Sequence, residues 1–321
     1  MDKPHLLQGA LRPAQAADYP AILDLADAAV PFDREGNRRW LRKRQQFDEV
    51  RQLRRHYVAL SQAEGEICGY GALEEQGSSA RQLRVYVVTA AERLADVGSL
   101  LYQQLEQDAQ TLQVSTLWAQ EHARDQALQD FFAVRGFVET GRVWDLRLPL
   151  KEARLSVFLP RVDEVAANGV HISALAEEGP DSLPRLFDLV RATWPTHTPP
   201  PTYEQFRQWL EQDDVFPDVV FVARREGQYV GYSALTRSDV EPGWLIHTRT
   251  AVRPQFRRQG VTLALRVSGI QYAQRAGYET VVTYNDAENF TVLALDDKLG
   301  FRRVFEYVSQ RATIAKEEDD E

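Results

Sequence analysis

Trp244-Leu245-Ile246-His247-Thr248-Arg249-Thr250-Ala251-Val252, followed by Arg253-Pro254-Gln255-Phe256-Arg257-Arg258-Gln259-Gly260-Val261-Thr262, is the stretch from which the fold can be read. Its first nine residues predict a strand, and Arg253-Pro254 ends it. Leu263, Ala264, Val267, Ile270 and Ala273 then recur at helical spacing until Ala276-Gly277 closes the helix. A strand, a basic glycine-containing turn and a helix start together form an anion site. The first-turn N–H groups lack intrahelical partners, and the helix dipole adds a favourable potential. Gly260 permits close approach to the backbone and tolerates positive φ, while Arg257 and Arg258 bring charge. The pattern alone equally describes a strand, a turn and a helix with surface arginines.

The residues downstream add to it. Thr283-Tyr284-Asn285-Asp286-Ala287-Glu288-Asn289 leaves the next predicted strand with two asparagines, and the helix after it ends at Lys298-Leu299-Gly300-Phe301. Asn285 reads either as a helix cap or as a clasp between separating strands. Asn289 reads either as a surface polar residue or as a second residue of the same groove. In an open sheet, ligands bind where parallel strands part at their carboxyl ends.

The whole pattern occurs twice. Tyr19-Pro20-Ala21-Ile22-Leu23-Asp24-Leu25 returns as Leu183-Pro184-Arg185-Leu186-Phe187-Asp188-Leu189. Gly69-Tyr70-Gly71-Ala72-Leu73 returns as Gly231-Tyr232-Ser233-Ala234-Leu235, and Arg135-Gly136-Phe137 as Leu299-Gly300-Phe301. Each half predicts two helices broken by Pro31 or Pro195, a hairpin, a strand, a helix, a strand, a helix and a final strand. The fold class is α/β (mixed): two tandem domains, each a mixed, mostly antiparallel sheet with helices on both faces and one splayed parallel pair. The expected division is 1–150, a connector at 151–169, and 170–321 with an acidic tail. Within the connector, Asp163 to Gly169 predicts a short helix with an Asp start and an Asn-Gly stop.

The second half resembles the GNAT superfamily of N-acetyltransferases, whose acyl-CoA loop reads Arg/Gln-x-x-Gly-x-Gly/Ala after a strand. Arg257-x-x-Gly260-x-Thr262 matches all but the last position, and Asn285, Asn289 and Leu299-Gly300-Phe301 match later landmarks. The duplicated arrangement further resembles tandem GNAT acetyltransferases of the mycothiol-synthase-like group. The resemblance implies acetyl-CoA as acyl donor, with the backbone around Val252 and Arg253 on the pantetheine arm. Arg257, Arg258, Gln259, Gly260, Val261 and Thr262 would hold the diphosphate, and Asn285 and Asn289 would line the cofactor side of the opened sheet.

The first half reads Arg93-Leu94-Ala95-Asp96-Val97-Gly98 at the same loop, with Asp96 in the place of Gly260. A carboxylate about 4 Å from a phosphate charge opposes binding by roughly 4 kcal/mol at an effective dielectric near 20. Glu121 and Asp125 stand in the places of Asn285 and Asn289. Residues 1–150 are therefore expected to be a degenerate copy that either walls the acceptor pocket or supplies stability alone.

The relatives' usual thiolate acid, a tyrosine four residues before the last helix's glycine, is replaced by Asp296. Candidate bases are His247 and Glu241, each of which also reads as an ordinary structural or solvated residue; Asp239 is a solvated turn carboxylate by default. Trp194, His197, Tyr203 and Trp209 lie in the segment that in this fold covers the acceptor, and read as core or as acceptor contacts.

A chain of 321 residues carries 44% apolar and 26% charged residues and a net charge of −9, which leaves no cationic surplus for nucleic acid. Cys68 is the lone cysteine, so no intramolecular disulfide or multi-cysteine zinc site is available, and no metal is expected. No apolar run approaches the ~20 residues that span a membrane. The expectation is a cytoplasmic N-acetyltransferase acting on a small-molecule amine, without nucleic-acid or membrane partners, as monomer or homodimer. The alternatives are a noncatalytic acyl-CoA-binding or sensing module and a protein-interaction module.

Overall fold

Apolar periodicity and breaking prolines lay down the elements in the expected order. The computed structural model describes residues 11–49, 53–61, 65–75, 81–195, 199–212, 219–238 and 241–314. The first half runs β1 (Leu11–Pro13), α1 (Tyr19–Ala29), α2 (Arg34–Glu49), β2 (Leu53–Leu60), β3 (Ile67–Glu75), β4 (Gln82–Thr89), α3 (Ser99–Thr111), β5 (Thr116–His122), α4 (Gln126–Ala133) and β6 (Val138–Pro149). A connecting helix, α5 (Leu159–Ala167), follows. The second half runs β7 (His171–Ala174), α6 (Ser182–Ala192), α7 (Tyr203–Gln212), β8 (Val220–Arg225), β9 (Gln228–Arg237), β10 (Trp244–Val252), α8 (Val261–Arg275), β11 (Thr280–Asp286), α9 (Phe290–Leu299) and β12 (Arg302–Thr313).

Two compact units result, one reaching Arg142 and resuming at Glu306, the other Val143–Phe305. In the first unit the strand order is β1-β2-β3-β4-β5-β12; in the second it is β7-β8-β9-β10-β11-β6. Among the described residues of each, β4 with β5 or β10 with β11 pair in parallel, and the other neighbouring strands are antiparallel. The predicted mixed α/β fold with two repeats is what forms. The linear division at 150 and 170 follows the repeat, whereas the packing does not. The open edge of β11 is closed by β6, in register from Thr280↔Pro149 to Asp286↔Val143. The edge of β5 is closed by β12, from Tyr307↔His122 to Thr313↔Thr116. An unpaired strand edge is costly to leave open, and each sheet takes the other half's last strand to close it.

Apolar side chains fill both faces. In the second unit α8 and α9 cover Leu245, Val252 and Val281 with Leu265, Ile270 and Leu293, while α6 and α7 cover Val220 and Tyr232 with Leu186, Leu189 and Phe206. The connector helix starts earlier than expected: Leu159 begins it, with Pro160 in the first turn where its missing N–H costs nothing. It stops as predicted at Asn168, with Gly169 at φ +80°. Among the described residues, no helix is long and apolar enough to cross a membrane.

The helices over the parallel pair are fixed differently in the two units. In the second, Arg266 of α8 forms an ion pair with Asp296 of α9, and Asn285 of β11 donates from Nδ2 to the other carboxylate oxygen at 2.6 Å. Asp296 is wholly buried and Arg266 almost so. Burial pushes the Asp296 carboxyl up and the Arg266 guanidinium down, and their attraction opposes both effects. The matching positions of the first unit are Tyr102, Phe132 and Glu121. Glu121 is buried, and its Oε2 has no hydrogen-bond partner. Desolvation pushes its carboxyl up to about 8, with Arg84 opposing and Asp125 reinforcing that direction.

Two stability experiments follow from this difference. Asp296→Ala strands the Arg266 charge and is expected to cost about 3–5 kcal/mol in urea unfolding, whereas Arg266→Met with Asp296→Leu recovers most of that loss. Glu121 binds its proton more tightly folded than unfolded, so its contribution to stability falls as pH rises from about 4.5 to 8. Glu121→Gln should therefore unfold at higher temperature than the parent protein at pH 8.5, with the gap closing towards pH 4.5.

Candidate active site

The splay between β10 and β11 defines the site. The two strands pair in parallel from Trp244↔Thr280 to His247↔Thr283 and then part. At that point β10 shifts register against β9, between His247 and Arg249, so Thr248 is the additional residue of a β-bulge. No such shift interrupts β4 against β3. The repeat offset grows from 162 at Gly69/Gly231 to 164 at Asp96/Gly260, and the bulge accounts for one of the two added residues. That step in the offset was a legible sign of the bulge.

Beyond the bulge, strand alternation decides which backbone groups face the opening. The N–H of Arg253 donates to Val230 O on β9 at 2.8 Å, so the N–H of Val252 points to the opposite edge, into the splay. Of the Val252–Arg253 pair, only Val252 can offer its N–H there. The Arg253 Nε also turns towards β9, donating to Tyr229 O at 2.9 Å. Val252 O accepts from Arg257 Nε at 3.1 Å, which folds the loop back onto the strand.

The loop reaches α8 through two left-handed residues, Arg258 at φ +60° and Gly260 at φ +85°. Gln259 Nε2 donates to Gln255 O at 2.9 Å and braces the turn. Gly260 is the N-cap of α8, and with no side chain to cap the helix, the first-turn N–H groups of Val261 and Thr262 face outward. A Cβ on Gly260 would lie 2.9 Å from Arg161 Nε and 3.0 Å from Val165 Cγ2, both on α5. Glycine is thus required here twice, by φ and by the helix riding over it. Arg161 was not marked by the sequence pattern, because the connector helix was expected to begin only at Asp163 and has no counterpart in the first half.

The asparagines take other roles than the alternatives left open for each. Asn285 ties β11 to α9 through Asp296, and does not bridge the parted strands. Asn289 is the N-cap of α9, its side chain accepting from Val292 N at 3.3 Å, and Asp125 caps α4 in the same way at 3.1 Å. The replacement of Asn289 by Asp125 therefore costs the first copy nothing in capping.

His247 sits where the strands part, buried against α8. Its Nε2 lies 2.9 Å from Ser233 Oγ and 2.8 Å from Thr250 Oγ1, and Thr283 Oγ1 donates to its carbonyl at 3.2 Å. Burial, with the nearby Arg266 charge second, holds its imidazole well below the usual range, so it is neutral at physiological pH. Ser233 and Thr250 complete a hydroxyl cluster that sequence reading did not single out. Glu241 precedes β10, where its N–H donates to Ser238 Oγ at 3.0 Å. It stands at the wrong end of the strand: eight residue steps at roughly 3.3 Å separate Trp244 from Val252. The structure therefore does not bring Glu241 together with Val252 and the loop.

On the opposite face of the sheet, the Arg249 guanidinium lies 4.6 Å above the Trp194 ring. Tyr203 packs against Phe187 with centroids 5.1 Å apart and stays partly exposed. His197, Asp239 and the side chain of Trp209 lie outside the described residues.

The matching loop of the first unit is a different object. Leu94–Gly98 forms a π-helical turn running straight into α3. Asp96 Oδ1 accepts from Val97 N at 2.5 Å, so its carboxylate occupies a donor of the helix start. Leu94 and Phe131 crowd Gly98, each within 3.3 Å of where a Cβ would stand. Arg135 reaches Ser99 Oγ at 2.6 Å and stacks on Phe131 at 3.6 Å.

Comparison with known proteins agrees with this geometry. The acetyltransferase (GNAT) family model matches twice, at residues 19–137 and 183–301, in the register of the repeat. A mycothiol acetyltransferase of Amycolatopsis mediterranei is 26% identical over 265 residues, covering 77% of this chain and 81% of that protein. The structure of a GCN5-related N-acetyltransferase from Sphaerobacter thermophilus superposes with a TM-score of 0.74 at 21% identity, covering 95% of each chain. A tandem GNAT protein from the clavulanic acid biosynthesis pathway superposes with a TM-score of 0.68 at 16% identity, covering 95% of this chain and 98% of its own. With both repeats matched and one of them keeping an open loop, a bulged strand and a splayed parallel pair, the chain belongs to the GNAT family of acetyltransferases.

Proposed function

We propose that this acetyltransferase moves an acetyl group from acetyl-CoA to the amine of a small molecule, and that the second unit alone does so. The observation that carries the reading is the contrast at one helix start: Gly260 leaves the first turn of α8 open, whereas Asp96 fills the equivalent turn with its own carboxylate. The name of the Amycolatopsis relative, mycothiol acetyltransferase, favours a small-molecule acceptor over a protein.

The donor supplies an activated thioester; the chain supplies position and charge. Val261 and Thr262 N–H groups, with Arg258 beside them, suit the diphosphate, and the Val252 N–H suits the carbonyl oxygen as it becomes an oxyanion. The acceptor nitrogen forms its bond to the acetyl carbon as the carbon–sulfur bond breaks. One proton leaves the nitrogen, and one reaches the departing thiolate. His247, neutral and linked to Thr250 and Ser233, is the group placed to take the first through those hydroxyls. Asp296 holds the place of the usual tyrosine acid but is engaged by Arg266 and Asn285, so the thiolate is protonated from water or from the ammonium product.

Calorimetry with CoA and a thiol-release assay over an amine panel test this reading. Gly260→Asp should abolish CoA binding and acetyl transfer, while Asp96→Ala leaves both within about twofold of the parent. Equal loss from changing either loop would refute the single-site assignment. For the base, His247→Gln should lower kcat by about 100-fold or more, with Glu241→Gln near parental. Unchanged kcat in His247→Gln would remove the histidine from the mechanism.

A further inference from the structure

The connecting helix brings a cation to the open loop. Arg161 Nε would lie 2.9 Å, and its Cζ 3.5 Å, from a Cβ on Gly260, so the guanidinium stands over the residue that caps α8. α5 is held in that position by apolar contact: Val165 is 2% exposed, belongs to the core beneath α8, and would itself touch a Gly260 Cβ. The Arg161 side chain is 42% exposed, and its recorded ion pair is with Glu164, one turn along the same helix. An exposed pair at this spacing is weak and gives way readily to a stronger anion. A cation therefore waits within a rotamer change of a helix start whose N–H groups face outward.

We infer that Arg161 is a further phosphate-binding residue of the CoA site, contributed by the connector and not by either GNAT repeat; the inference rests on the second unit being the CoA-binding one. Arg161 adds its guanidinium to the α8 N–H groups at Gly260, so the phosphates meet a cation from the connector as well as the helix start. A planar guanidinium offers a phosphate two parallel N–H donors, which an ammonium cannot. Glu164 then neutralises Arg161 while no anion is present, and competes with the phosphates for it. The connector acquires a reason for its helical form, since a coil of the same length would not fix the guanidinium against Gly260.

Calorimetry on the full chain tests the inference. Arg161→Ala should weaken CoA binding about tenfold, with Arg161→Lys recovering part of the loss. The KM for S-acetyl-pantetheine, which carries neither the diphosphate nor the 3′-phosphate, should be unchanged in Arg161→Ala. Glu164→Ala should bind CoA at least as tightly as the parent, because only a competing carboxylate is removed. If Arg161→Ala binds CoA within twofold of the parent, or if Glu164→Ala weakens binding equally, Arg161 merely braces α5 and the inference falls. Failure of the parent protein to bind millimolar CoA would overturn the functional assignment along with it. Parental binding that Gly260→Asp destroys and Arg161→Ala spares would overturn this inference alone.

Discussion

The buried pair of Arg266 and Asp296 is the constraint around which the second unit is arranged. A guanidinium and a carboxylate out of water are tolerated only when each satisfies the other, and Asn285 takes up the remaining carboxylate oxygen. That three-way contact ties α8, α9 and β11 together beside the splay. It fixes the distance between the helix that presents the open N-terminus and the strand that leaves β10. The charge has a second effect: Arg266, close to His247, adds to the burial that keeps the imidazole neutral. One ion pair thereby sets the geometry of the opening and reinforces the neutral state that burial imposes on the group at its apex.

The first unit shows what the same backbone does without that pair. Tyr102 and Phe132 make the matching region an aromatic core, with Tyr102 edge-on to Phe131, Phe132 and Phe137. Glu121 is left facing this core with no counter-charge in hydrogen-bond reach and is held protonated near neutrality. The loop has contracted into a π-helical turn, Leu94 and Phe131 have packed over Gly98, and β4 lacks the bulge. In each respect buried apolar contact stands where the second unit has an open polar feature, and packing there replaces solvation.

Much of this was legible because the signals are local. Helix and strand order follow from periodicity and from Pro31 and Pro195, and the anion loop from a glycine and two arginines ahead of an apolar helix. Asn285 and Asn289 could be found but not assigned, since a cap and a tie to a neighbouring helix look alike until the partner is known. Asp296 read as a missing tyrosine; its pairing with Arg266, thirty residues away on another helix, is a tertiary fact that spacing does not carry. Arg161 was invisible for a similar reason. It lies in the segment without a repeat partner, and only the packing of Val165 reveals what stands over Gly260. Glu241 was close to the loop in sequence but remote along an extended strand.

The exchange of closing strands explains why a copy without an open loop would persist at its full length. β6 is encoded in the first half yet closes β11, the strand that carries Asn285 and forms one wall of the splay. Removing the first repeat through its last strand would expose that edge along seven residue pairs and leave the backbone groups of β11 unpaired. β12 places the same demand on β5. The loop of the first copy is free to change because no strand depends on it, and Asp96, Leu94 and the π-helical turn record that freedom. The sheet is not free to change, since its hydrogen bonds are shared across the repeat. The loop of the first copy can therefore differ while its scaffold stays under the same constraint as that of the second.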